Sequence, residues 1–338
     1  MKPQFELCIE IGEIPILVHT DSAEFAGLLH KRYGEFVVGR RAAEGPGIEA
    51  SGGSEPKTAQ HDAESAVGPP GAPCQVSNLQ FPVSGFELEV ELLPPGFMSD
   101  AEEARVRLEG GRWVMERGDF RAEWDPECRR GWVRQSANPY SIDAVLRMLH
   151  SLILAREGGF LVHAASAVRN GRAFLFAGVS GAGKTTISRL APPDVVLLTD
   201  EISYVRKGRS QESGATSQND DRHRAGLDRI DSPASDTRPL TPAFVAYGTP
   251  FAGELARIGE NLRAPIAALY LLGQGPGNSI QDVSQAEALR ALLQNILFFA
   301  RDEAMVRLVF QSALDFVGRV PVHRLVFAPD ARVWDSIV

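Results

Sequence analysis

The sequence predicts an α/β protein in two parts: a strand-rich α+β domain over residues 1–138, then a P-loop domain over residues 139–338. Three observations predict it. Short strand-like runs dominate the chain before residue 138, several of them alternating apolar with charged residues. The stretch RAFLFAGVSGAGKTTISRLA sets an apolar strand, a glycine-rich loop and a helix in succession. Helix-periodic segments then stand at about 140–156, from Ser284 onward and at 302–318.

FELCIEI and PILVHT come first and read as strands, followed by a helical SAEFAGLLHKRYG. FELEVELL is a further strand. VRLEGGRWVMERGDFRAEWDP and GWVRQS form a meander with turns at GG and GD. The charges in these runs alternate as a solvated strand face would, and no constellation of catalytic groups stands out in residues 1–138. Residues 43–77 are rich in Gly, Pro, Ser, Ala and Glu, and residues 206–239 are polar and of mixed charge. Neither buries enough apolar surface to offset the entropy of ordering its backbone, so both are expected to be disordered. The second joins ISYV to FVAY, as an overgrown hairpin loop.

In the second part, FLVHAASAV is a strand, RNG a turn and RAFLF the strand that runs into the glycine-rich loop. The helix after the loop ends before Pro192 and Pro193, which cannot continue it. VVLLT is an apolar strand closing with Asp200 and Glu201. SQAEALRALLQNILFFA opens on a capping box, Ser284 with Glu287, and HRLVF is a late strand.

Composition excludes some functions. With 44% hydrophobic and 23% charged residues the chain has the means to build a core, and its net charge of −8 opposes a general nucleic-acid binder. Cys8, Cys74 and Cys128 are odd in number and lack a C-x-x-C pair, which fits neither a disulfide framework nor a zinc site. The N-terminus lacks a signal peptide's order of regions. SIDAVLRMLHSLILA carries Asp143, Arg147 and His150, as an amphipathic helix rather than a membrane span would. A cytoplasmic protein without membrane partners is the expectation.

The chemistry concentrates in four places. Gly178, Val179, Ser180, Gly181, Ala182, Gly183, Lys184 and Thr185 match the pattern of a phosphate cradle, and Thr186 follows at the start of the helix. Glycines permit a turn whose N–H groups face phosphate oxygens, Lys184 reaches the β- and γ-phosphates, and the Thr185 hydroxyl suits Mg²⁺. ATP and Mg²⁺ are thus the expected cofactors; a structural glycine turn is the plain alternative. Asp200 and Glu201 end a strand beside the P-loop, where a Mg²⁺-associated carboxylate belongs, although strand ends also carry acids with no such role. His163 lies on the strand just before the P-loop strand, either beside the site or as a core histidine. YGTPFAGE (247–254), with Thr249 and Glu254 as its polar groups, is either a loop at the rim of a site or a turn without chemistry.

Taken together, VHAASAV, FLFAGVSGAGKTTISRL and LLTDE resemble the catalytic core of HPr kinase/phosphorylase and its relatives, whose fold is shared with ATP-dependent phosphoenolpyruvate carboxykinase. The resemblance is clearest over about residues 158–205 and extends loosely to the C-terminus. It implies that Gly178–Thr185 holds ATP, that Thr185 and Asp200 hold Mg²⁺, that Asp200 or Glu201 takes the proton of an acceptor hydroxyl, and that His163 lines the site. The implied activity is transfer of the γ-phosphoryl group to a hydroxyl, with serine of a protein or peptide as the suggested acceptor. The family usually has two aspartates where this chain has Asp200 and Glu201. The segments that recognise HPr and the substrate-binding arginines of the carboxykinases are not found, so HPr is not the expected acceptor. Multimerisation is common in the family, so a homo-oligomer is compatible with the resemblance. Two other functions remain open at this level, a non-catalytic ATP-binding module that engages a partner and a small-molecule kinase.

Overall fold

A computed structural model describes residues 5–38, 85–94, 103–208 and 244–337. The expected insertion at 43–77 lies outside these residues, as does residue 209 onward of the expected loop at 206–239. The protein is mixed α/β and divides into two compact units, Met1–His150 with Phe299–Glu303, and Ser151–Phe298 with Ala304–Val338.

The first unit holds β1 (Phe5–Ile11), β2 (Ile14–Thr20), α1 (Ala23–Tyr33), β3 (Phe86–Leu93), β4 (Arg105–Glu109), β5 (Arg112–Arg117), β6 (Phe120–Asp125) and β7 (Arg130–Ser136). Its seven-stranded sheet has the order β1-β2-β3-β7-β6-β5-β4, parallel at β2–β3 and β3–β7. Leu7, Ile9 and Ile11 on β1 and Ile14, Ile16 and Val18 on β2 alternate into the core with the period of a strand. Ser22 caps α1 by accepting from the Phe25 N–H, and the helix buries Phe25, Leu29 and Tyr33 at four-residue intervals. The charges of this region meet in register across strands: Glu87 faces Arg130, Glu91 faces Arg134 and Glu116 faces Arg121. Such solvated pairs contribute less than about 1 kcal/mol each, and their role here is a polar outer face.

Helix α2 (Pro139–Arg156) begins where Asn138 Oδ1 accepts from the N–H groups of Tyr140 and Ser141. The division between the two units falls within it. Its buried Asp143 accepts from Tyr33 Oη at 2.6 Å and from Arg32 Nε at 2.9 Å. Asp143→Ala leaves the buried phenol without its acceptor, and a loss of about 1–3 kcal/mol in unfolding free energy is expected. Urea denaturation of wild type and variant measures it.

The second unit holds β8 (Phe160–Arg169), β9 (Arg172–Ala177), α3 (Lys184–Arg189), β10 (Val196–Thr199), β11 (Ile202–Lys207), β12 (Phe244–Tyr247), β13 (Arg263–Gln274), β14 (Ser279–Asp282), α4 (Gln285–Asn295), β15 (Ile296–Leu297), α5 (Glu303–Arg319) and β16 (Val322–Phe327). Asn170 and Gly171, both at positive φ, make the two-residue turn of the β8–β9 hairpin. β9 runs parallel to β13, and β13 parallel to β16. Alternate residues of these strands face opposite sides. On one side Val162, Leu175 and Leu269 pack with Leu292 of α4 and Phe316 of α5. On the other, Phe174, Phe176 and Tyr270 pack with Ile187 of α3 and Trp334 near the C-terminus, and Trp334 Nε1 donates to the Ile187 carbonyl at 3.1 Å.

The structure departs from the sequence reading at four points. Arg206 and Lys207 belong to β11 rather than to the expected loop, because Arg206 is buried and its guanidinium meets Glu157 at 2.5 Å. The capped helix α4 stops at Asn295, because Ile296 and Leu297 pair with Val162 and Leu161 on an edge of β8. RAPIAALYLLGQ forms β13, the longest strand of this unit, which the sequence reading did not anticipate. Finally, β10 is not beside the P-loop strand. Both β9 and β10 pair with β8, which lies between them.

Candidate functional site

β8 organises the site. One stretch of it, Ala164–Arg169, pairs with β9, and its other edge pairs with β10 through Ser166 and Thr199 and then with β11 through His163 and Ile202. β10 and β11 therefore run along β8 as one interrupted strand, and the interruption is Asp200 and Glu201. His163 is the next residue on β8 beyond the Ala164–Ala177 pair, where β9 gives way to the glycine-rich loop. A single strand thus separates the loop from the acidic pair and contributes the histidine between them.

In the loop, the Ala182 N–H donates to the Val179 carbonyl at 3.0 Å, closing a tight turn. Gly183 has φ +112, and a Cβ there would approach the Phe327 ring to 2.7 Å, so both backbone and packing require glycine. Lys184 is 8% exposed, and its ammonium donates to the carbonyls of Gly178 at 2.8 Å and Val179 at 3.4 Å. Burial lowers the Lys184 pKa, with the negative charge of Glu254 acting in the opposite direction.

Of the residues singled out from the sequence, His163, Ser180, Gly181, Gly183, Lys184, Thr185, Thr186, Asp200 and Glu201 line one cavity of about 310 Å³. Gly178, Val179 and Ala182 shape the turn behind it. Gly253 and Glu254 line the same cavity. They belong to the YGTPFAGE segment, which is anchored along its length. The Thr249 N–H and hydroxyl donate to the carbonyls of Leu198 and Ile202, at 3.1 Å each, and the Thr199 hydroxyl donates to the Phe251 carbonyl at 3.5 Å. Asp200, 6% exposed, accepts from the N–H of Gly253 on Oδ1 and of Leu255 on Oδ2, both at 2.9 Å. The Thr185 hydroxyl donates to Glu254 Oε2 at 3.1 Å.

Sequence reasoning named Glu254 only as a polar group of a segment that was either the rim of a site or a bare turn, and it gave no role to Gln274 or Phe327. Gln274 Nε2 donates to the Gly181 carbonyl at 2.6 Å and so ties the loop to the end of β13. Gln274 and Phe327 line a second cavity of about 490 Å³ with Pro276 and Pro329, which shares Gly183 and Thr186 with the first. The signal available for Gln274 was its place at the end of the apolar run APIAALYLLG.

Among the described residues, no group of three or more His, Cys, Asp and Glu is arranged to hold a metal ion by itself. Hard oxygen donors do surround the loop: the Thr185 hydroxyl and the carboxylates of Asp200, Glu201 and Glu254. This set fits Mg²⁺, which takes oxygen ligands and is commonly held by one or two carboxylates together with substrate phosphates. Neither Cys8 nor Cys128 is in a disulfide among the described residues, and Cys74 lies outside them. Among the described residues no helix is long and apolar enough to cross a membrane. No family model matches the chain, and no curated protein matches it.

Proposed function

We propose that the second unit is an ATP- and Mg²⁺-dependent kinase domain of the HPr kinase/phosphoenolpyruvate carboxykinase type, transferring the γ-phosphoryl group to a hydroxyl, with serine of a protein or peptide as the favoured acceptor. The observation that carries this reading is the meeting, in one cavity, of the Gly178–Thr185 loop, the Asp200–Glu201 pair and His163. These are separate stretches of sequence, and a glycine turn of purely structural use would have no need of buried Lys184 and a polar chamber in front of it.

The loop's N–H groups and Lys184 bind the β- and γ-phosphates, and Lys184 exchanges its contacts to the Gly178 and Val179 carbonyls for phosphate oxygens. The second cavity, walled by Phe327 and two prolines and continuous with the loop through Gly183 and Thr186, has the apolar character a nucleobase needs. Mg²⁺, held by oxygens of the set around Thr185, supplies neutralisation of the phosphate charge. In the transfer, the acceptor oxygen forms a bond to the γ-phosphorus and the bond from that phosphorus to the β,γ-bridging oxygen breaks. ADP leaves, and the hydroxyl proton passes to the carboxylate of Glu201, the member of the acidic pair other than Asp200, whose two oxygens hold the N–H groups of Gly253 and Leu255. Positioning and charge neutralisation supply most of the rate in such a reaction.

The test is incubation with γ-labelled ATP, Mg²⁺ and size-fractionated extract of the protein's own cells. Label is expected in a macromolecular fraction. Label confined to a filterable product would make the acceptor a small molecule. ATP binding without any transfer would leave a nucleotide-binding module that acts through a partner.

A further inference from the structure

Of the carboxylates that line the cavity, Asp200 and Glu254 are not equivalent. Asp200 has each of its oxygens engaged by a backbone N–H, those of Gly253 and Leu255, both at 2.9 Å. The residue between these two donors is Glu254. Its carboxylate is not used to fasten the segment; it accepts instead from the Thr185 hydroxyl at 3.1 Å. The clasp depends on a missing side chain, because a Cβ at Gly253 would stand 2.9 Å from Asp200 Oδ2 and 2.9 Å from Glu201 Cβ. Asp200 thus holds the backbone on either side of Glu254 and leaves Glu254 presented to the cavity.

From this geometry we propose that Glu254 is the carboxylate that completes the divalent-cation site beside Thr185, and that Asp200 is a positioning residue holding the segment that carries it. The inference rests on the nucleotide-binding reading above. A P-loop hydroxyl that ligates Mg²⁺ through its oxygen still has a proton to donate, and a carboxylate that accepts this proton fixes the orientation of the hydroxyl. Glu254 stands in that relation to Thr185. It is also a hard anionic oxygen donor in its own right, on a flexible side chain long enough to bind directly or through a water.

The experiment is a calorimetric titration of ATP into the full-length protein, once in Mg²⁺ and once in EDTA, for wild type, Glu254→Gln, Glu254→Asp and Gly253→Ala. Thermal melting of each variant checks that it is folded. Wild type is expected to bind ATP more tightly with Mg²⁺. Glu254→Gln is expected to lose about tenfold or more of that gain, with affinity in EDTA undiminished because a negative charge near the phosphates has gone. Glu254→Asp should retain part of the gain. Gly253→Ala keeps both carboxylates yet displaces the segment, and it should reproduce the loss. If Glu254→Gln keeps the full Mg²⁺-dependent gain, or weakens binding equally in Mg²⁺ and EDTA, the assignment is overturned while nucleotide binding stands. If wild type binds no ATP in either condition, the nucleotide reading fails and this inference goes with it.

Discussion

Lys184→Ala is expected to reduce phosphoryl transfer by about a hundred- to a thousandfold, the scale seen when one preorganised donor to a developing negative charge is removed. The loss should arise mostly at the site and only slightly in folding. Lys184 ends its side chain on the carbonyls of Gly178 and Val179, and truncation leaves those acceptors for water in an open cavity. The methylenes it removes are the part of the side chain that burial favours, so a modest drop in melting temperature accompanies the change. Quantifying transfer of label from γ-labelled ATP, alongside thermal melting, separates the two effects. A variant that transfers at the wild-type rate would remove the glycine-rich loop from the mechanism. Lys184→Arg is expected to restore little, because the ammonium enters a space bounded by the loop's own backbone, and a planar guanidinium is larger and needs a different fork of acceptors.

Asp200→Asn has the second largest expected effect, and it acts through the backbone. The substitution preserves shape but turns one acceptor oxygen into an amide that itself donates. One of the two N–H groups, of Gly253 or of Leu255, then faces a donor in a buried position. The expected cost is about 1–3 kcal/mol of unfolding free energy, measured by denaturant titration. Transfer should fall by about ten- to a hundredfold, the usual scale for losing a group that orients others in a metal site. If Asp200→Asn abolished transfer with no change in stability, Asp200 would be acting on the reacting atoms themselves instead of through Gly253 and Leu255.

The local architecture was largely legible in the chain because its signals were local. The helix opening at Ser22, the Asn170–Gly171 turn and the Ser284 cap each depend on signals within a few residues, and the structure has each where the sequence expects it. β13 escaped notice because its buried run offers no alternation: a fully apolar stretch suits a central strand and a buried helix equally. The overrun of α4 has a related cause. The apolar residues after Asn295 continue a helical reading, and only the open edge of β8 captures Ile296 and Leu297 into a sheet. In the candidate site, the glycine-rich loop could be read from spacing. The hold of Asp200 on its partners could not, because they are main-chain groups 53 and 55 residues further along, on the far side of a long polar stretch. A backbone N–H carries no mark in sequence, so the segment 247–254 looked as much like a bare turn as like the wall of a site.

The β11–β12 hairpin has one further consequence. Tyr204 pairs with Tyr247 at the end near Asp200 and Glu201, whereas Lys207 pairs with Phe244 at the opposite end, where the chain departs toward residue 209 and returns. Both strands are in register over this length, so the Lys207–Phe244 end lies about 10–20 Å of extended strand away from the acidic pair. The separation between the glycine-rich loop and the carboxylates is set by β8 and the strands paired along its two edges, and not by the far end of the hairpin.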